Sequence, residues 1–345
     1  MAQQAASHYD VQKKRRIDIV EKWNRIRKVL GKGARLTLQP SPVRGVRQGM
    51  LIGTDGGVPT RSIDCRIVEI PAGGRTSTHR HTYDAIMFVL SGRGYTLIGG
   101  ERYDWEPWDA LHLPAWSWHQ HGNRDARDPA RYLAFTTAPL MELFNLLAVE
   151  ELGDSPPPPS ARPARPLAEV VAAAKQSGAR SSYEAELERA LAQEEARRGA
   201  TRITRWKETH LVLNPKGSKS AFLIDPSLGY RTTGITAVMF QIAPGSWQAS
   251  HRHGGEAVLY IVEGRGYSLI DGERYDWEAG DGVLVGKWSW HQHFNAAPNR
   301  IATVLRMHTE ESLGNLMRIV LAPLELFNEP ETWDGPDPAT LRWPE

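Results

Sequence analysis

The chain has 345 residues, 41% hydrophobic and 24% charged, the composition of a globular protein whose length predicts two domains with full-sized cores. With 42 basic against 40 acidic side chains the net charge is only +2, which gives no basic field to hold nucleic acid or an anionic membrane. No run of about 18 apolar residues and no apolar leader occurs, and the single Cys65 cannot form an internal disulfide. The expectation is a protein of the reducing cytoplasm with no membrane and no nucleic-acid partner.

In chain order, residues 11–30 form a charged helical segment, and residues 63–70, around Cys65, form an apolar strand. Residues 86–90 and 94–98 are further short strands, closed by a Gly99-Gly100 hairpin turn. Residues 154–166, with prolines at 156–159 and two later Arg-Pro steps, read as a semi-rigid linker. Residues 167–198 are rich in Ala, Glu, Arg and Leu and predict one or two helices, interrupted near Gly178. Asp271-Gly272 is a second tight turn and residues 283–285 another strand. Short strands between turn signals, without intervening long helices, predict an all-β sandwich or small barrel and argue against a parallel βαβ sheet. The boundaries expected are a helical lead-in at 1–35, a first barrel at 36–153, a linker with helices at 154–200 and a second barrel at 201–345.

The two barrels are one unit written twice. The segment 79–123 reappears at 251–295 with a constant offset of 172, and 25 of the 45 paired positions are identical. The shared strings are HRH, GRGY, GERYDWE and WSWHQH. Each half also closes on nearly the same phrase, APLMELFN at 138–145 and APLELFN at 322–328.

Of 12 histidines, eight fall in the repeated HRH and HQH strings. In a strand, residues i and i+2 face the same way, so His79 and His81 present two imidazoles to one interior, as do His251 and His253. His119 and His291, about 38 residues later, supply a third nitrogen in each half. Three neutral imidazoles leave coordination positions open and suit Fe(II), with Mn, Ni, Cu and Zn as alternatives. His121 and His293 lie two residues further, on the same face, as candidate catalytic residues that accept or deliver a proton. Trp116, Trp118, Trp288 and Trp290 flank the third ligands and are candidates for stacking on an aromatic substrate, with plain core packing as the alternative.

These motifs resemble the cupin superfamily. The first copy shows Gly73, His79, His81, Gly92, then Pro114, His119 and Asn123; the second shows Gly245, His251, His253, Gly264, Gly280, Gly286, His291 and Asn295. Trp108 and Trp116 stand at two motif glycines of the first copy. The resemblance implies a tandem duplicated cupin, all-β, built from jelly-roll barrels of the double-stranded β-helix type with short helical segments before each barrel. Ala85 and Ala257 occupy the position of the motif glutamate, a fourth ligand in manganese decarboxylases of the superfamily. Asp84 and Glu256, one residue earlier, should turn to the opposite face. Three histidines without the carboxylate, HRHT, and the WxWHxHxN string are similar to the gentisate and salicylate 1,2-dioxygenase group.

That resemblance implies an Fe(II) ring-cleaving dioxygenase acting on a small hydroxylated aromatic compound and O2. The group's substrate-binding arginine is replaced by Met87 and Leu259, so Arg75 and Arg93 are the candidates to hold a substrate carboxylate, and hydroquinones or aminophenols stand beside gentisate and salicylate. Two readings of other classes remain: a non-catalytic bicupin that binds metal or a small ligand, and an oxygen-independent isomerase, hydrolase or decarboxylase. Exposed barrel edges predict a homo-oligomer.

Overall fold

The computed structural model describes residues 7, 11, 14–15, 18, 22–25, 27–41, 44–156, 167–175, 181–309 and 334–344. Each half consists of two facing antiparallel sheets in jelly-roll arrangement. In the first, a seven-stranded sheet runs in the order Ile203–Thr204, Ala110–Leu113, Ala85–Ser91, Ala130–Thr136, Asp64–Ile70, Val46–Ile52, Gln39–Ser41. Facing it are Val149–Gly153, Thr78–His81, His119–Asn123, Gly94–Ile98 and Glu101–Trp105. The second half repeats the large sheet and, from Glu273–Glu278, Arg265–Ile270 and His291–Asn295, a smaller facing one.

The strand Ala85–Ser91 explains why these strands read as continuous apolar runs. Ala85, Met87 and Val89 pack into the core of their own barrel, whereas Ile86 and Phe88 point the other way. The second face meets Leu223, Ile224, Tyr230 and Val258 of the second half in a shared apolar cluster. Both faces of this central strand are therefore buried, as its continuous apolar run demands. Gly99 and Gly100 (φ 58° and 94°) and Asp271 and Gly272 (51° and 85°) form the expected hairpin turns, in which both central residues need positive φ.

The halves exchange their lead-in strands. Leu30–Gly31 pairs with Gly282–Val285 of the second half, and Ile203–Thr204, exactly 172 residues on from Gly31 at its first residue, pairs with Ala110–Leu113 of the first. Asp281 accepts the Gly33 amide at 3.0 Å and Lys32 at 2.6 Å, while Asp109 accepts Trp206 N at 3.0 Å and Arg205 at 2.9 Å. Within the segment expected at 1–35 as a lead-in to the first barrel, Leu30–Gly31 thus joins the sheet of the second.

Helices occupy Ala138–Leu143, Leu167–Lys175 and Ser182–Arg198, the last opened by a Ser181/Glu184 capping box. Of the helix expected at 11–30, the described residues 11, 14, 15, 18 and 22–25 are helical, whereas 27–29 are not and Leu30 opens a strand. The prolines at 157–159, Gly178 and the phrase at 322–328 lie outside the described residues. Among the described residues no helix is long and apolar enough to cross a membrane.

Candidate metal centres

His79 and His81 leave one strand and His119 the neighbouring one, paired so that the His119 and His79 Cα atoms are in register. Strand alternation turns all three imidazoles inward, where they are at most 5% exposed. Their ligand atoms lie within 4.8 Å of one another, and the same holds for His251, His253 and His291.

Every ring is oriented by a backbone carbonyl. Nδ1 of His79, His81 and His119 lies 2.9, 2.7 and 2.8 Å from the carbonyls of Ser77, Tyr83 and Ser117. In the second half the partners of His251, His253 and His291 are Ala249, Gly255 and Ser289, at 2.9, 2.9 and 2.8 Å. A carbonyl can only accept, so each Nδ1 carries the proton and each Nε2 presents a lone pair to the interior. Burial holds the triads neutral: it lowers all six imidazoles, His119 to about 4, and the neighbouring imidazoles add to the shift in most of them. Among the described residues His119 Nε2 is buried without a hydrogen-bond partner, as suits a nitrogen that would bind a metal ion. Donor type, tautomer and spacing all fit a borderline divalent cation.

Ala85 and Ala257 line the cavities and contribute no carboxylate. Asp84 and Glu256 face the other half, as their register predicts.

The first triad opens on a cavity of about 310 Å³ lined also by Gln48, Arg44, Arg66, Tyr132 and Glu151. Arg44 Nε is 2.7 Å from Glu151, and Arg66 Nη2 is 3.1 Å from Asp64. The second triad opens on about 710 Å³ lined by Asn214, Lys216, Phe240, Gln248 and Arg306. His121 and His293 line their respective cavities. Thr96 Oγ1 and Ser268 Oγ each stand 2.8 Å from the Nδ1 of that histidine. Trp105 and Trp277 donate their indole N–H to the same hydroxyls at 3.1 and 3.0 Å.

Several expected substrate contacts lie elsewhere. Arg75 and Arg93 have side chains 52% and 76% exposed and pair with Asp154 and Glu106, because their turns point away from the cavity. Met87 is wholly buried in the barrel core, its Sδ 3.8 Å from Thr96 Oγ1. Trp116 and Trp118 enclose the Arg80 guanidinium at 4.3 and 4.5 Å, and Trp288 and Trp290 hold Arg252 at 5.6 and 4.9 Å. Arg80 and Arg252 sit between two inward histidines and must point outward, so the tryptophans stack outside the barrel. A left-handed turn at Trp116 and Trp288 (φ 61° and 59°) puts them there.

Reading the sequence missed Arg44 with Lys216 and Thr96 with Ser268, pairs at the 172-residue offset whose shared chemistry was the available signal. It also missed His308, whose Nε2 lies 3.1 Å from His253 Nδ1; its counterpart in the first half is Thr136.

Fold and site define a class: a duplicated jelly roll with a three-histidine centre in each half. The model of the cupin domain matches residues 66–136 and again 238–305, so each half contains a cupin domain. Among curated proteins, a 5-aminosalicylate 1,2-dioxygenase of Comamonas sp. is 29% identical over 66% of this chain and 60% of its own length. A 1-hydroxy-2-naphthoate 1,2-dioxygenase of Nocardioides sp. (strain KP7) is 23% identical over 82% of this chain and 72% of its own. The chain therefore spans less than two thirds of the length of the Comamonas relative. The salicylate 1,2-dioxygenase of Pseudoaminobacter salicylatoxidans, solved with gentisate, superposes with a TM-score of 0.60 at 15% identity over 92% of this chain and 96% of that one. The oxalate decarboxylase of Bacillus subtilis reaches 0.57 at 13% identity over 82% and 77%, so structural likeness here establishes the fold and leaves the reaction to the site.

Proposed function

We propose that this bicupin is a non-haem Fe(II) dioxygenase that opens the ring of a small hydroxylated aromatic acid with O2. The observation that carries the reading is the first centre: three neutral imidazoles, no carboxylate ligand, and two guanidinium groups lining the same small cavity. His79, His81 and His119 would hold the iron, with His251, His253 and His291 holding a second, and Mn, Ni or Zn as the competing ions. When bound, the metal supplies open positions at which a phenolic oxygen and dioxygen are brought together and activated.

The rest falls to this chain's side chains. Arg44 and Arg66 offer the positive charge that Arg75 and Arg93 do not, and would bind and orient a ring carboxylate by charge-assisted hydrogen bonds. His121 would contact an oxygen of the substrate. The strand Val149–Gly153, paired to Thr78–His81, walls off one side of the centre and carries Glu151, which fixes Arg44. Holding both reactants in one orientation turns a bimolecular encounter into an effectively intramolecular one. The names of the curated relatives support a 1,2-cleavage of salicylate or gentisate type. Assembly as a homo-oligomer and a cytoplasmic location belong to the same reading.

Anaerobic reconstitution with Fe(II), followed by oxygen-uptake screening over gentisate, salicylates, hydroquinones and aminophenols, tests it. The expected result is uptake with a carboxylated phenol; no uptake with any of them overturns the proposal.

A further inference from the structure

In each half, the histidine beside the metal triad is tied at its far nitrogen to a buried hydroxyl and, through it, to a buried tryptophan. Thr96, Trp105 and His121 are 0, 3 and 2% exposed; Ser268, Trp277 and His293 are 0, 3 and 4% exposed. The hydrogen-bond chemistry of these three groups has one direction. An indole N–H can only donate, so Trp105 occupies a lone pair of Thr96 Oγ1 at 3.1 Å. The hydroxyl has a single proton to give. Its acceptors are His121 Nδ1 at 2.8 Å and the weakly accepting Met87 Sδ at 3.8 Å, and the nitrogen is both nearer and stronger. In the second half the residue equivalent to Met87 is Leu259, which has no acceptor at all, yet Ser268 keeps the same two partners at 3.0 and 2.8 Å. A proton on His293 Nδ1 would leave the Ser268 hydroxyl without an acceptor in a buried place.

We infer that Thr96 with Trp105, and Ser268 with Trp277, are positioning residues that lock His121 and His293 in the Nε2–H tautomer, so that each cavity offers a fixed N–H donor beside its three-histidine centre. The triad imidazoles are locked the opposite way, their Nδ1 protonated by contact with carbonyls. Two tautomers of one residue type thus stand side by side, three as ligands and one as a donor. The ligand such a site takes is one that presents an acceptor oxygen, as phenolate or carboxylate, to this N–H. His121 then stabilises that oxygen and does not remove its proton, contrary to the base role open to it from sequence. Because the arrangement is complete in both halves, the second cupin is built for the same ligand chemistry as the first. The inference rests on the oxygenase reading for its use, and on hydrogen bonding for its content.

The test is a long-range 1H–15N correlation spectrum of the full chain, labelled with 15N-histidine and loaded with Zn(II). The His121 and His293 signals are assigned by their loss in His121→Gln and His293→Gln. The expected pattern is an unprotonated Nδ1 and a protonated Nε2 at both positions. Thr96→Ser preserves it, whereas Thr96→Val and Trp105→Phe shift the His121 Nδ1 signal toward the protonated form and leave His293 in place. A protonated Nδ1 at His121 or His293 in the unmodified chain overturns the inference, and that spectrum decides even where a variant fails to fold. A His121 signal unmoved in both folded variants overturns it too. Absent oxygen uptake with the expected spectrum would instead reject the oxygenase reading alone.

Discussion

The Asp84 carboxylate of the first cupin accepts the Thr233 hydroxyl of the second at 2.8 Å, and also its backbone amide. The relation is reciprocal. Glu256, 172 residues after Asp84, accepts Arg61 N at 2.9 Å and the amide and hydroxyl of Ser62, both at 2.8 Å, and Arg61 is 172 residues before Thr233. The carboxylates next to Ala85 and Ala257 thus bond across to the other half. Both stand one residue beyond a carbonyl that orients a triad imidazole: Tyr83 O holds His81, and Gly255 O holds His253.

This predicts a pH-dependent cost for Asp84→Asn. Burial alone would raise the Asp84 carboxyl, but the adjacent His112, 3.3 Å away, and the Thr233 donors outweigh it and hold it down to about 2. A carboxyl lowered on folding contributes stability that is present above its unfolded value near 4 and is lost as the pH falls through about 2. Urea unfolding should show the variant destabilised by ~2 kcal/mol at pH 7. The gap between the two proteins should close between about pH 4 and 2; a gap independent of pH would show that the carboxylate's charge plays no part.

Metal stoichiometry separates the two centres. The native chain should bind two ions, and His79→Ala and His251→Ala one each, as read by elemental analysis after desalting. The complete orientation of both triads by carbonyls is the basis, since loss of such supporting contacts alone weakens metal binding by about 10- to 100-fold. One ion in the native chain would refute it.

Acid should act on the metal-free protein through the same histidines. Burial lowers His119 to about 4, below the ~6.5 of an unfolded imidazole, so the unfolded chain takes up the proton first. Stability of the chelated protein should therefore fall as pH drops from ~6.5 toward 4, and saturating metal should offset the loss by mass action, ~2.7 kcal/mol at 100 times Kd. A flat profile of denaturation midpoint against pH would contradict neutral buried triads.

Much of this architecture was legible because it depends on periodicity. The 172-residue offset is visible as repeated sequence, and the His-x-His alternation and the inward turn of Ala85 follow from the two-residue repeat of a strand. The same rule, applied to Arg80, already sends it outward, and the tryptophans follow it as its packing partners. What stayed hidden depends on chain segments distant in sequence. Arg44 reaches the first centre from a segment 35 residues before His79, and Leu30–Gly31 joins the opposite half, pairings that no local pattern encodes.

Arg44→Met and Arg66→Met should each raise KM for a carboxylated substrate by roughly 10- to 150-fold, the worth of a charge-assisted hydrogen bond of ~1.5–3 kcal/mol. Arg75→Ala, Arg93→Ala and Trp116→Leu should leave KM unchanged, because these side chains face outward. Steady-state kinetics on all five variants checks the assignment, and the reverse order of effects would return substrate binding to the outer residues.

The most direct measurement of the central claim is the oxygen balance of the Fe(II)-reconstituted full chain with a hydroxylated aromatic acid. The account predicts one O2 consumed per ring opened, both atoms of 18O2 recovered in the product, and no turnover without oxygen. Turnover that persists under anaerobic conditions, or iron-loaded protein that consumes no oxygen with any such substrate, would contradict it.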